Sequence, residues 1–165
     1  MNRASGLIAS GGLLLSGLGL YSTFTTPPTM PFMIIAAFSL AILAAGCFRA
    51  GRSYLPVAVG FALGVPAHIA CIFNDNLPPV LLSFWLLITL VGLISTAALV
   101  LREDRASGAA RFVPILAAVA CFGVPAGAAS GSDTAHFAAI AFLSLTFAAL
   151  SLTVASEGAP SRRLA

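Results

Sequence analysis

The side chains of this sequence best suited to chemistry are two histidines, a cysteine and two aspartates, and they fall into two short groups. His68, Cys71 and Asp75 stand at i, i+3 and i+7, a spacing that brings side chains to one face of a helix. Asp133 and His136 stand three residues apart further along. Imidazole nitrogen, thiolate and carboxylate are the donors that hold zinc and related metals. A metal centre drawing on His68, Cys71, Asp75, Asp133 and His136 is therefore the sharpest chemical reading. The spacing matches no particular metal motif, and each residue also has a structural explanation. Asp75 suits a turn, and Asp133 suits a helix cap with His136 in the first turn behind it. His68 suits a buried histidine bonded to a backbone carbonyl, and Cys71 a small apolar packing residue. Nothing in the sequence calls for a cofactor.

A second set concerns movement of a solute rather than a reaction. Pro66 and Pro125 interrupt long apolar runs. Proline removes one backbone donor and clashes with the carbonyl four residues back, so both helices are expected to kink, freeing the carbonyls of Ala62 and Cys121. Such kinks line cavities or act as hinges. With His68 and Thr89 they form the candidate path, Pro66, His68, Thr89 and Pro125. Catalysis finds less support. Ser130-Gly131 near His136 lacks the preceding glycine of the G-x-S-G pattern of intramembrane serine proteases, because Ala128-Ala129 stand there. Phosphate loops, nucleotide fingerprints, zinc-protease helices and C-x-x-C pairs are absent, so no enzyme is expected. Cys47, Cys71 and Cys121 are odd in number and lie in apolar runs, which argues against a disulfide framework.

The elements that carry these residues follow from composition. Of 165 residues, 59% are hydrophobic and 8% charged, with no lysine. A soluble domain has about 25% charged residues, and the mean hydropathy here is +1.04. A membrane-spanning helix needs roughly 20 mainly apolar residues to cross a hydrocarbon layer about 30 Å thick. Six segments qualify, at 5–22, 31–48, 54–73, 79–101, 112–130 and 135–155. The expected fold is all-α, a single integral membrane bundle of six transmembrane helices. The run after Met1-Asn2-Arg3 shows no clear cleavage site and is read as a retained first helix. All eight arginines fall on one side of this arrangement: Arg3, Arg49, Arg52, Arg102, Arg105, Arg111, Arg162 and Arg163. Positively charged short loops stay cytoplasmic. The expectation is a multi-pass protein of the inner (cell) membrane with N- and C-terminus both cytoplasmic. The net charge of +3 thus reports topology, and no nucleic acid is expected as partner.

The proline helices share a pattern. Gly64-Val65-Pro66-Ala67 matches Gly123-Val124-Pro125-Ala126, and each is followed by a short loop with an aspartate and a helix bearing Phe, Ser and Thr. Three tandem helical hairpins are one reading, and chance in a Gly- and Ala-rich chain is the other. Gly60 with Gly64, Gly123 with Gly127, and Gly12 with Ser16 are four apart, a spacing that lets helices approach closely. Packing within the bundle is the expected use, and contact with a second copy the alternative. The Gly- and Leu-rich stretch from Gly11 to Gly19, the Pro-rich loop after it and Arg49-Ala50-Gly51-Arg52 resemble the first hairpin of the small membrane subunit of tripartite tricarboxylate transporters. The Gly-Pro-Gly-Phe-Phe-Pro signature of that family is not present, Pro31-Phe32 being the nearest match, and no residue roles carry over.

Absence of any Asp, Glu, Lys or Arg from the middle of a span disfavours a proton relay or ion pump. Two functional expectations remain. One is an accessory or structural subunit of a larger membrane assembly, with the lipid bilayer and other membrane chains, or itself, as partners. The alternative is a small transporter or channel for a neutral or apolar solute.

Overall fold

A computed structural model describes residues 3–25, 29–73, 78–104 and 106–157. Among them the chain is all-helical. The helices are α1 (Arg3–Phe24), α2 (Thr29–Ala50), α3 (Leu55–Phe73), α4 (Pro78–Arg102), α5 (Val113–Ala120), α6 (Gly123–Ala129) and α7 (Asp133–Ser156). Short 3₁₀ turns at Arg52–Tyr54 and Gly108–Phe112 lead into α3 and α5. Six helical stretches are long and apolar enough to cross a membrane, α5 and α6 together making the fifth. The expected segments agree within a few residues, except that 112–130 is two helices rather than one.

The two proline helices behave differently. Around Pro66 the helix runs on unbroken from Leu55 to Phe73, so the expected kink does not interrupt it. Before Pro125 the helix stops at Cys121–Phe122, where the Phe122 amide donates to the Val119 carbonyl at 3.1 Å, a tightened turn. The reason lies in what holds each segment. Gly60 and Gly64 lock the α3 backbone against α4, whereas nothing approaches a methyl position on Gly123 closer than Ala139 Cβ at 3.8 Å. The shared tetrapeptide is therefore packed in two ways. Its prolines do have one feature in common: Pro66 and Pro125 are both exposed on the outer surface.

Neighbours in sequence are neighbours in space. α1 packs on α2, α2 on α3, α3 on α4 and α4 on α5, while α5 and α6 pack on α7, which closes the bundle against α1. Lipid tails are as apolar as leucine, so helices in a bilayer associate through close packing rather than the hydrophobic effect. Glycine supplies that closeness at almost every interface. A methyl group on Gly12 would lie 2.3 Å from the Ala148 amide nitrogen of α7, and one on Gly19 2.8 Å from that of Ala141. Gly46 of α2 faces Ile8 of α1, and Gly92 of α4 faces the Pro56 carbonyl of α3. The Ser16 hydroxyl donates to the Ala141 carbonyl at 3.1 Å. So Gly12 and Ser16 serve contact inside the bundle, as expected of a small-residue face. α7 is the most enclosed helix, and its Phe147 meets Phe61 of α3 edge to face at 4.8 Å between ring centres.

These antiparallel contacts gather Arg3, Arg49, Arg52, Arg102 and Arg111 at one end of the bundle. Asp133 sits at the other. At the arginine end the turn before α3 is pinned from two sides. Ser53 donates to the Glu103 carboxylate at 2.7 Å and Tyr54 to the Glu157 carboxylate at 2.8 Å. Both donors are fully buried, so α3, α4 and α7 are tied together through adjacent residues.

Candidate functional site

Gly60, Gly64 and His68 stand four apart and share one stripe of α3. Trp85 of α4 fills the notch left by the two glycines. A methyl group on Gly64 would come 2.4 Å from Trp85 Nε1, and one on Gly60 2.9 Å from Thr89 Cα. The indole N–H donates to the Gly60 carbonyl at 3.0 Å. One turn further, the His68 ring stands edge-on to the Trp85 ring at 5.0 Å. His68 Nδ1 lies 2.8 Å from the Gly64 carbonyl, so the proton belongs on Nδ1 and the lone pair on Nε2. This is the buried, backbone-bonded histidine weighed from the sequence. Thr89 is fully buried beside Gly60, and its Oγ1 has no hydrogen-bond partner among the described residues. The Thr96 hydroxyl, two turns on, is in the same position.

Of the candidate path, His68 and Thr89 thus belong to one α3–α4 interface organised by Trp85. Pro66 and Pro125 point away from the interior. The metal-donor set is divided. Cys71 is buried one turn beyond His68. Asp133 is exposed in the first turn of α7, and His136 Nδ1 faces the Val124 carbonyl at 3.3 Å. Asp75 lies outside the described residues. Among the described residues no three His, Cys, Asp or Glu side chains come together to hold a metal ion. The cap of α7 is Ser132, whose hydroxyl accepts from the Ala135 amide at 3.3 Å, so Asp133 is the first helical residue rather than the cap. A serine with extended backbone directly after the left-handed Gly131 meets the geometric need better than the aspartate that follows it.

A further feature was not legible from residue types. α4 reaches the fifth span through α5, on the half of the bundle that carries the arginines. α6 packs on α7 and joins α5, and makes no comparable contact with α4. Away from the arginines, then, α4 and α6 are not packed on each other as the other neighbouring helices are. Leu87 on α4 and Phe122 and Ala126 on the fifth span are exposed. Gly123, Pro125 and Gly127 within five residues weaken the helix, and of the two glycines only Gly127 is pressed against a neighbour, the α7 backbone at Ala135 and His136.

Comparisons of the chain with protein-family models, with characterised proteins and with solved structures give no match.

Proposed function

We propose that this chain is an accessory subunit of a larger membrane assembly, held in the inner membrane with both termini cytoplasmic. The observation that carries the reading is the scarcity of contact between α4 and α6. Glycine brings the helices close at most of the other interfaces. Here a broken, small-residue helix beside exposed apolar side chains offers a partner's transmembrane helix the close approach that association in lipid requires. The orientation rests on the arginines of the short loops, all at one end of a six-span bundle.

Transport of a neutral solute is the less favoured reading. Its candidate hinges, Pro66 and Pro125, face outward, and His68 is bonded to its own helix. The test is a photo-crosslinking residue at Leu87, with another at Phe38 on the exposed face of α2 as control, followed by affinity purification from native membranes. A stoichiometric adduct at Leu87 and none at Phe38 is expected. A clean uncrosslinked species that carries a neutral solute across vesicle membranes would replace the subunit reading with the transporter.

A further inference from the structure

We infer that the link between α2 and α3 is a binding site for one anionic phospholipid. The proposal rests on the chain lying in a membrane and is independent of any partner beside α4 and α6.

Gly51 is flanked on each side by one arginine and one large apolar residue. Phe48 and Arg49 precede it, Arg52 and Leu55 follow it, and all four side chains are exposed. Gly51 makes the reversal with φ of 116°, a conformation that favours glycine, and open space surrounds it. Between the exposed residues, Ser53 and Tyr54 turn inward and are fixed by their bonds to Glu103 and Glu157. The anchoring holds the outer half of the turn in place. Two guanidinium groups three residues apart are thereby presented at the level where the apolar spans end. Among the described residues no carboxylate pairs with Arg49 or Arg52. Glu103 and Glu157 accept from the inward-facing hydroxyls of Ser53 and Tyr54.

Just inside the membrane from the two cations lie exposed apolar side chains, Phe48 on α2 and Leu55 and Val59 on α3, at 48%, 40% and 46% exposure. A phosphodiester headgroup fits the guanidinium pair, since arginine presents forked donors to phosphate oxygens. The acyl chains of the same molecule would lie along Phe48, Leu55 and Val59. A soluble anion would use the cations and leave the apolar strip without an occupant, which is why a lipid is the better match. Arg111 differs: its guanidinium stands over its own neighbour Phe112, 4.8 Å from the ring centre.

The experiment is native mass spectrometry of the full chain in mild detergent, titrated with phosphatidylglycerol or phosphatidylcholine of identical acyl chains. Retention of one phosphatidylglycerol in preference to phosphatidylcholine is expected. At about 1 kcal/mol for each basic residue near an anionic surface, or about fivefold in affinity, Arg49→Gln with Arg52→Gln should weaken that retention about 25-fold. Arg49→Lys with Arg52→Lys keeps the charge but loses the forked donors and should fall between wild type and the Gln pair, which separates lost charge from lost folding. Arg111→Gln should leave it unchanged. Equal retention of the two lipids by the wild type, or undiminished phosphatidylglycerol on a double Gln variant that elutes as the wild type does, would overturn the proposal. Displacement of the lipid by millimolar inorganic phosphate would also overturn it, in favour of a site for soluble anions.

Discussion

Replacing Gly12 with alanine places one methyl group at the tightest of the glycine contacts in the bundle. That carbon would lie 2.3 Å from Ala148 N, 2.5 Å from its Cα and 2.7 Å from its Cβ. Carbon atoms rest about 3.5–4.0 Å apart, so α1 and α7 must separate by roughly an ångström or more. Two of the three obstructing atoms are backbone and cannot rotate away. Overpacking of a close-packed interior costs about 1–3 kcal/mol, and the upper end applies where the obstacle is a helix backbone. On the scale of a soluble domain of this size, about 3 kcal/mol corresponds to a fall in Tm of roughly 6–12 °C. The assay is thermal unfolding of detergent-purified protein, followed by loss of the monodisperse peak in size-exclusion chromatography. Gly17→Ala is the control, because nothing lies within 4 Å of that position. It should hold or raise Tm slightly, since alanine is the better helix former. Adding Ala148→Gly to Gly12→Ala removes only the contact at 2.7 Å and should restore little. The reasoning is refuted if Gly12→Ala melts with Gly17→Ala, or if Ala148→Gly restores the wild-type Tm.

Other consequences are as open to measurement. Gly64→Ala should drive Trp85 from its notch and break its bond to Gly60. Because Trp85 is the sole tryptophan, its emission maximum should shift, and an unchanged spectrum would count against the contact. Tyr54→Phe removes a hydrogen bond to a carboxylate, worth about 1.5–3 kcal/mol, and should lower Tm by several degrees without altering capture of a partner at Leu87. Thr96→Val replaces a buried hydroxyl that has no partner among the described residues. Since leaving such a group unsatisfied costs about 1–3 kcal/mol, the variant should be as stable as the wild type or more so, and a clear fall in Tm would reveal a bond to that hydroxyl.

Much of the fold is dictated along the chain. Six apolar runs of bilayer length, separated by Pro-, Asn-, Gly- and Arg-bearing links, leave little choice but six antiparallel helices, because a buried backbone in lipid must satisfy its own polar groups. The pairing of loops by charge follows from arginine positions alone. Small residues spaced four apart likewise announce close helix contact, and Gly12, Ser16, Gly60 and Gly64 provide it.

What sequence spacing leaves undecided is direction around each helix and the partner met there. The Gly-Val-Pro-Ala tetrapeptides are identical, yet one sits in a continuous helix locked by Trp85 and the other follows a break, since only the first has a neighbour pressed into its glycine notch. His68 bonds the Gly64 carbonyl of its own helix, and among the described residues no three His, Cys, Asp or Glu side chains come together around it. Ser53 and Tyr54 carry no motif, and their bonds to Glu103 and Glu157 join residues 50 and 103 positions apart. The scarcity of contact between α4 and α6 is a property of how helices lean on one another. Residue types determined the number of helices long and apolar enough to cross a membrane and the arginine-bearing end. The tertiary structure alone decided which buried polar groups satisfy each other and which neighbouring helices pack, because both depend on contacts between segments that composition does not order.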